Sequence, residues 1–302
     1  MKIVFIGMDC RYSLRHLEAL EEKFNIVAVV CAAPRNASKD TPCLYRNVLY
    51  RNAKKKEIPF YYTKNISSND MEKAIQDLNC DLICVASCSQ LLKKNIIDLP
   101  KLGIMNAHGA MLPYYKGPNP DYWVFYYQEK QGAVTIHYID EGEDSGDIIH
   151  QEAFEIPFGM TKAEYQAEIL KRSPKLMQQS VQEIESGNGI RIQQQKINTF
   201  RARNLSPEDK MIDFRNWEVK HAYHFLRGTD LLDKQYRKTF WHISIYGYTE
   251  DISGLGFNKN VVFCKLGGYF TGNTSVSKDW PELFLEEIKK FHAGIWAEGL
   301  NI

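Results

Sequence analysis

The chain lacks any long hydrophobic run. None of its apolar stretches approaches the roughly 18 residues that a membrane-spanning helix needs. The N-terminal segment MKIVFIGMDC has too short an apolar run, and no evident cleavage site, for a secretory signal. We therefore expect a cytoplasmic protein with no membrane partner.

A surplus of charge is also missing. The 302 residues contain 38 Lys and Arg and 37 Asp and Glu, which leaves a formal net charge of +1. Residues 201–302 contain 14 Lys and Arg and 13 Asp and Glu. Domains that bind nucleic acid or anionic membranes usually carry a basic surplus. Nucleic acid is therefore not an expected partner.

The cysteines do not form a disulfide or metal-binding pattern. There are seven of them, an odd number. Cys80, Cys84 and Cys88 are spaced by four, but residues 82–86 between them resemble a buried strand. A strand would spread the three thiols over roughly 25 Å at ~3.3 Å per residue. We expect reduced, structural cysteines and no metal site.

The first turn lacks the G-x-G-x-x-G pattern of a dinucleotide site, since it reads GMDCRYS. It follows an apolar strand at 2–6 and precedes a helix at 12–24, where Leu14, Leu17 and Leu20 recur at helical spacing. A second apolar strand follows at 26–31. This β-α-β opening predicts an α/β fold with a doubly wound, mostly parallel sheet.

The character of the chain changes near residue 190. Residues 160–186 predict a helix with a kink or break at Pro174 and an end at Gly187. Beyond it, IRIQQQ predicts a strand, 206–228 a linker and helix, 240–248 and 260–270 alternating strands, and 280–296 a closing helix. We expect a catalytic domain at 1–190 and a smaller, β-rich C-terminal domain at 191–302.

Residues 106–147 contain most of the side chains that can carry chemistry. Asn106 and His108 are two positions apart on an apolar strand, so their side chains point to the same side. An alternating strand at 135–139 is followed by five carboxylates: Asp140, Glu141, Glu143, Asp144 and Asp147. An amide, an imidazole and a carboxylate at strand ends suit acyl-type transfer, because they can stabilise an oxyanion, move a proton and orient the base.

The carboxylate loop also suggests a calcium site, which its spacing excludes. An EF-hand loop beginning at Asp140 needs an oxygen ligand at its third position and a glutamate at its twelfth. Gly142 and Gln151 stand at those positions.

Two separated motifs, N-A-H with M-L-P-x-Y-x-G and T-I-H-x-x-D-x-G-x-D-S-G-D-I-I, resemble the signature of the 10-formyltetrahydrofolate-dependent formyltransferases. The resemblance implies a formyltransferase, Rossmann-like fold with Asn106, His108 and Asp144 as catalytic residues. Two positions depart from the family pattern, since Ala110 replaces a usual Ser and Lys116 a usual Arg. These departures bear on the acceptor.

The resemblance also implies a folate site. The backbone of Ser89, Gln90, Leu91 and Leu92 would receive the pterin ring, and Ile139, Asp140 and Glu143 would line the remainder. His137 is open between a folate contact and a structural role.

For the acceptor, the resemblance points to Asp9 in the first turn and to Lys116. The aromatic pair Tyr122 and Trp123, near the site in the sequence, is a candidate for stacking on a base or sugar. The alternative for Asp9 is a solvated turn residue, and for the aromatic pair it is core packing.

The function that the resemblance implies is transfer of formyl from N10-formyltetrahydrofolate to a primary amine, without a metal. The near-zero charge of 201–302 favours a nucleotide-linked amino-deoxysugar as acceptor, whose product would serve surface polysaccharide such as O-antigen. Methionyl-tRNA formyltransferase and a formyltetrahydrofolate hydrolase are the alternatives. Family precedent also suggests a homodimer.

Overall fold

The structure is a computed structural model. It describes residues 1–34, 44–206, 209, 217 and 219–229, together with the backbone of five short strands at 240–241, 248–249, 261–264, 268–271 and 275–276.

A seven-stranded sheet forms the centre of the fold. Its strands are β1 (Lys2–Gly7), β2 (Asn25–Ala32), β3 (Phe60–Thr63), β4 (Leu82–Ala86), β5 (Ile104–His108), β6 (Gln131–Tyr138) and β7 (Ile148–Glu155). They lie in the order β3-β2-β1-β4-β5-β6-β7. The first five are parallel to one another, whereas β6 pairs antiparallel with both β5 and β7. The predicted α/β fold with a mostly parallel, Rossmann-like sheet is confirmed.

Helices alternate with these strands along the chain. They are α1 (Arg11–Glu21), α2 (Val48–Lys55), α3 (Asn69–Leu78), α4 (Lys94–Ile97), α5 (Pro120–Tyr126), α6 (Lys162–Glu185) and α7 (Val219–Gly228), with a 3-10 turn at Leu44–Arg46. Side-chain caps start three of them: the Cys10 thiol on α1, Asn47 on α2 and Ser68 on α3 accept from backbone amides of the first turn.

The core lies between the parallel strands and α3. The strands contribute apolar side chains at alternate positions, such as Val4 and Ile6 of β1, which lie on one face of the sheet. Met71 and Ile75 of α3 pack against this face. Near-continuous apolar runs are typical of parallel strands that are covered on both faces. The chain order reverses between β1 and β4, and loops at the carboxyl ends of strands beside such a point commonly form a ligand cleft.

Helix α6 continues through Pro174, so the predicted break there is wrong, and the alternative of a kink stays a prediction. Pro174 and its neighbour Ser173 are both buried, and Ser173 bonds to His16 and Tyr12 of α1. These tertiary contacts hold the turn where proline removes a backbone donor. The helix ends before Gly187, which adopts φ +76 as the prediction of a glycine terminus requires.

The chain divides into two compact units. The first contains Met1–Val124, Glu129–Ile156 and Glu164–Asn204, and the second contains Phe125–Gln128, Pro157–Ala163 and Leu205–Ile302. Residues 191–204 thus join the first unit. The strand expected in IRIQQQ is reduced to one antiparallel bridge between Ile192 and Ile148.

Short strands are present in the C-terminal region. They are β8 (Phe240–Trp241), β9 (Tyr248–Thr249), β10 (Val261–Cys264), β11 (Gly268–Thr271) and β12 (Ser275–Val276), arranged as β10-β11-β9 and β12-β8. The closing helix expected at 280–296 lies outside the described residues. The smaller β-rich domain and its boundary at residue 190 stay predictions.

Candidate active site

Strands β5 and β6 bring the polar side chains together. Their antiparallel register places Asn106 opposite His137 and His108 opposite Thr135. Directly opposed residues on one face of an antiparallel pair lie within contact distance. Asn106 Nδ2 accordingly donates to His137 Nε2 at 3.1 Å. The opposite nitrogen of His137, Nδ1, lies 2.8 Å from the Tyr138 carbonyl, which can only accept, so Nδ1 carries the proton.

The His108 ring is buried between two acceptors, with 6% of the residue exposed. Its Nε2 donates to the Tyr115 carbonyl at 2.9 Å, and its Nδ1 lies 3.5 Å from Asp144 Oδ2. Because the carbonyl requires a proton on Nε2, Nδ1 is the nitrogen that can take up a second proton. A proton gained there would face the Asp144 carboxylate.

Asp144 reaches this position from the loop after β6. Its backbone is left-handed, with φ +49. Oδ2 accepts from the Gly117 amide at 2.8 Å, and Oδ1 lies 3.6 Å from His137 Nε2. A Cβ on Gly146, two residues later, would meet the Tyr138 carbonyl oxygen at 2.0 Å, so this turn requires glycine. The loop is therefore shaped to direct one carboxylate between two imidazoles.

The pKa values support a neutral base beside a charged carboxylate. Burial alone would raise the pKa of Asp144, but the charge of His108, the nearby His137 and the Gly117 amide together hold it well below its ordinary value. Burial lowers the pKa of His108, and His137 adds to this, although Asp144 opposes it. At neutral pH His108 is thus a neutral imidazole that can accept a proton.

The loop that presents the Tyr115 carbonyl is held from β6 and β7. The Thr135 hydroxyl donates to the Ala110 carbonyl at 2.6 Å and accepts from the Leu112 amide at 3.2 Å. The Gln151 amide donates to the Leu112 carbonyl at 2.7 Å and to Thr135 at 3.0 Å. Sequence reasoning missed both supporting residues. Thr135 could have been found from its position opposite His108, had the β5–β6 pairing been predicted.

Asp140, rather than Asp147, closes the carboxylate loop. Asp140 Oδ1 accepts from the Gly142 amide at 3.0 Å and the Ser145 hydroxyl at 2.6 Å. Asp147, the last carboxylate of the loop, instead makes a 3.9 Å ion pair with Arg191. Asp140 can do so because a carboxylate readily accepts from amides two and more residues ahead in a turn.

Comparison with known proteins identifies the family of the chain. Residues 1–181 match the family described as formyl transferase. This chain belongs to the formyltransferase family. The resemblance found in the sequence is therefore confirmed, as is the prediction of a formyl-transferring enzyme.

Methionyl-tRNA formyltransferases and sugar N-formyltransferases are among the proteins similar to this formyltransferase. A methionyl-tRNA formyltransferase of Clostridium botulinum is 30% identical over 231 residues, 76% of this chain and 73% of that protein. The sugar 3N-formyltransferase WlaRD, solved with dTDP and 5-N-formyl-THF, gives a TM-score of 0.62 at 17% identity, over 91% of this chain and 98% of that one. An N-formyltransferase of Helicobacter canadensis, solved with folinic acid and dTDP-3-aminofucose, gives 0.62 at 20% identity, over 91% and 99%.

The segment expected to receive the pterin follows β4 in the formyltransferase. Gln90 anchors it, since its side chain donates to the Ala33 carbonyl and accepts from the Ile66 amide, both at 3.0 Å. Ser89 makes a weaker contact with the same carbonyl. Leu92 is buried in the core and Leu91 is 55% exposed. Neither leucine uses its backbone amide in a hydrogen bond within the described parts of the chain.

Of the other residues expected at the folate site, each has a local partner. The Ile139 amide donates to the Ile104 carbonyl at 2.8 Å. Glu143 forms a bidentate pair with Arg201. Together with Asp140, these residues hold the carboxylate loop after β6 in place beside Asp144. Their contact with folate stays a prediction.

The residues expected to bind the acceptor differ in their exposure to solvent. Asp9 is exposed, and its carboxylate accepts from the Val48 amide at 2.8 Å. Lys116 is half-buried beside Tyr115. Trp123 is 1% exposed and donates to the Arg203 carbonyl at 2.9 Å, and Tyr122 is also buried. The burial of this pair fits the core-packing alternative, and its role with substrate stays a prediction.

The five cysteines whose side chains the structure describes carry free thiols. Across the described ranges, no group of three His, Cys, Asp or Glu side chains could hold a metal ion. Nor does any helix in those ranges have the length and apolar character to cross a membrane.

Proposed function

We propose that this formyltransferase moves the formyl group of N10-formyltetrahydrofolate to the primary amine of a nucleotide-linked amino-deoxysugar. The observation that carries the chemistry is the convergence of Asn106, His108 and Asp144. An oriented amide, a neutral imidazole and an ionised carboxylate meet in one cluster. This set provides an oxyanion donor, a base and a group that stabilises the protonated base.

The proposed reaction begins when the lone pair of the amine forms a bond to the formyl carbon. The amine proton passes to His108, directly or through a water, and the imidazolium is stabilised by Asp144. Asn106 uses one Nδ2 hydrogen for His137, which leaves the other for the oxyanion. The bond from the formyl carbon to N10 then breaks, His108 returns the proton, and tetrahydrofolate leaves. Loss of one oxyanion donor raises such barriers by roughly 3 kcal/mol.

The donor is supported by the backbone of the segment after β4. The amides of Leu91 and Leu92 are available there for the edge of a heterocycle. A backbone contact of this kind tolerates varied side chains, as Leu91 is largely exposed. One solved neighbour was determined with 5-N-formyl-THF and the other with folinic acid.

The sugar acceptor is supported by the extent of the structural likeness. One neighbour was solved with dTDP and the other with dTDP-3-aminofucose, and the likeness spans 98% and 99% of their chains. Lys116 adjoins the catalytic loop, and within the described residues its ammonium makes no ion pair, which suits a phosphate. Asp9 and Lys116 are our candidates for the acceptor site.

Methionyl-tRNA formyltransferase is the second candidate. It is favoured by the curated relatives, which are 28% and 30% identical over 76% of this chain. The balanced charge of 201–302 opposes it, because RNA-binding domains usually carry a basic surplus.

The test is calorimetric titration with dTDP, UDP, GDP and initiator methionyl-tRNA, each with folinic acid present. Micromolar binding of one nucleotide alone, followed by formylation of its amino sugars, is the expected result. Binding and formylation of the tRNA alone would transfer the function to the second candidate. Release of formate without any amine would indicate a hydrolase.

A further inference from the structure

The segment after α6 is exposed apart from one residue. Residues 185–198 are all exposed to solvent except Gln194, of which 7% is exposed. Its neighbours Gln193 and Gln195 are the same amino acid and point into water. Burying one of three consecutive glutamines indicates a specific contact, because an amide is costly to bury without hydrogen bonds.

Gln194 binds the backbone of the catalytic carboxylate loop. Its Nε2 donates to the Asp144 carbonyl at 2.9 Å and to the Gly146 carbonyl at 2.7 Å. Both side-chain donors are thus used on the turn that directs Asp144 toward His108. Asp144 is a non-glycine residue at φ +49, a conformation that persists only where surrounding contacts hold it.

The same segment continues across the loop after β5, which contains Pro113, Lys116 and Gly117. Arg201 pairs with Glu143, next to Asp144. The Ala202 amide donates to the Lys116 carbonyl at 2.7 Å. The Thr199 hydroxyl donates to the Pro113 carbonyl at 3.0 Å.

Gly117 shows how closely this crossing is packed. A Cβ at Gly117 would lie 2.9 Å from the Ala202 carbonyl oxygen, and its φ is +115. Its amide makes the 2.8 Å hydrogen bond to Asp144 Oδ2 that joins the two loops. The segment therefore holds both partners of that hydrogen bond.

We infer that residues 192–203 form a strap that sets the position of the Asp144 carboxylate, with Gln194 as its principal positioning residue. This inference rests on the proposed function only for the catalytic role of Asp144. Gln194 does not touch the reacting groups and acts through the loop backbone.

The strap should be detectable at His108. The ionisable groups that act on this imidazole are Asp144, His137 and Glu143. Of these, Asp144 is the one that favours its protonated form most. If Asp144 moves away, the protonated imidazole loses stabilisation and the pKa of His108 falls further.

The test compares Gln194→Met with Gln193→Met and Gln195→Met. Methionine keeps the length of the side chain and removes the two donors, while the outer variants make the same change in water. The His108 pKa is followed by NMR titration of its ring protons, assigned with His108→Gln. In parallel, kcat is measured against pH with whichever amine proves to be the substrate.

For Gln194→Met we expect a lower His108 pKa, an acidic limb of the kcat profile moved to lower pH, and kcat reduced roughly 10- to 100-fold. Gln193→Met and Gln195→Met should match the wild type. An unchanged His108 titration in Gln194→Met, or an equal change in the outer variants, would overturn the inference.

Thr199→Val provides a second variant if Gln194→Met does not fold. It removes one hydroxyl bond to the Pro113 carbonyl at nearly constant volume, and we expect a smaller change of the same sign. An unchanged His108 titration in that variant, with Gln194→Met unfolded, would count against the strap. The NMR result is independent of turnover, so a shifted titration with no formylated amine would reject the proposed function and keep the strap.

Discussion

Two buried histidines, His16 on α1 and His108 on β5, differ in what surrounds them. His16 on α1 donates from Nδ1 to the Tyr12 carbonyl at 2.8 Å and accepts at Nε2 from the Ser173 hydroxyl at 2.6 Å. The Tyr12 hydroxyl lies 3.0 Å from Ser173 and 3.3 Å from the Ala107 carbonyl, between Asn106 and His108 on β5. Every partner of His16 is neutral.

His108 has the same burial but a charged neighbour. Burial lowers the pKa of His16 to about 4, so that ring remains neutral through the physiological range. Burial also lowers the pKa of His108, but Asp144 opposes the change there. An imidazole whose two nitrogens are both satisfied by neutral groups serves structure, whereas one facing a carboxylate can exchange a proton.

We expect the largest difference in kcat. It separates the catalytic cluster (Asn106, His108 and Asp144) from the structural cluster (His16, Tyr12 and Ser173). His108→Gln removes the base, so we expect kcat for formyl transfer to fall roughly 10²- to 10⁴-fold. His16→Asn should leave kcat within a fewfold of wild type under conditions where it is folded. Steady-state kinetics with the identified amine measure both. Retention of more than a tenth of wild-type kcat by His108→Gln would reject His108 as the base.

Asn106→Ala tests the other end of the catalytic cluster. It removes the proposed oxyanion donor and should lower kcat by roughly 10²- to 10³-fold, with little change in KM for the folate donor. Gln193→Met, at an exposed position in neither the proposed folate site nor the proposed acceptor site, serves as the control for kcat. If the variant raised KM and left kcat unchanged, Asn106 would contribute to substrate binding and not to stabilisation of the transition state.

His16 should contribute to the acid sensitivity of folding. Because His16 binds a proton less well when folded than when unfolded, its folded pKa lies below the unfolded value of 6.5. Its contribution is present above pH 6.5 and is lost as pH falls toward 4. The free energy of unfolding should then decrease by roughly 3 kcal/mol from this group.

Urea unfolding at several pH values checks this, with His16→Asn as the variant that lacks the titrating group. The pH slope between 4 and 6.5 should be smaller in His16→Asn than in the wild type. Parallel slopes would mean that His16 is not held neutral.

The smallest effect is expected for Tyr12→Phe. It removes the hydroxyl shared between Ser173 and the Ala107 carbonyl, and a typical neutral hydrogen bond contributes about 1 kcal/mol. Urea unfolding should show that loss at every pH, with kcat nearly unchanged. A large fall in kcat would mean that the structural cluster also positions β5 for catalysis.

The sequence predicted the sheet and part of the site for different reasons. The apolar runs of β1, β2 and β4 and the i, i+2 spacing of Asn106 and His108 are local patterns, so both could be read directly. Asp144 was one of five neighbouring carboxylates, and only the family resemblance selected it. His137 was left open because its role depends on the register of β6 against β5.

Two predictions from the sequence were wrong because local patterns do not report contacts with distant parts of the chain. Pro174 predicts a helix break by its own chemistry, yet Ser173 beside it is held by His16 and Tyr12. Ile190 and Ile192 alternate like a strand, yet only the backbone of Ile192 pairs, with Ile148. In each case a contact from far along the chain decided the outcome.

The sequence by itself determined the family and most strands and helices of the central sheet, because apolar periodicity and the two motifs are patterns among residues close in the chain. The roles of Asn106, His108 and Asp144 stay predictions. Only the tertiary structure decided which histidine is structural and which glutamine is buried. Those outcomes depend on the approach of α6 to α1 and of residues 192–203 to the Asp144 loop. Burial and a facing charge set a side chain's chemistry, and both are supplied by residues distant in the chain.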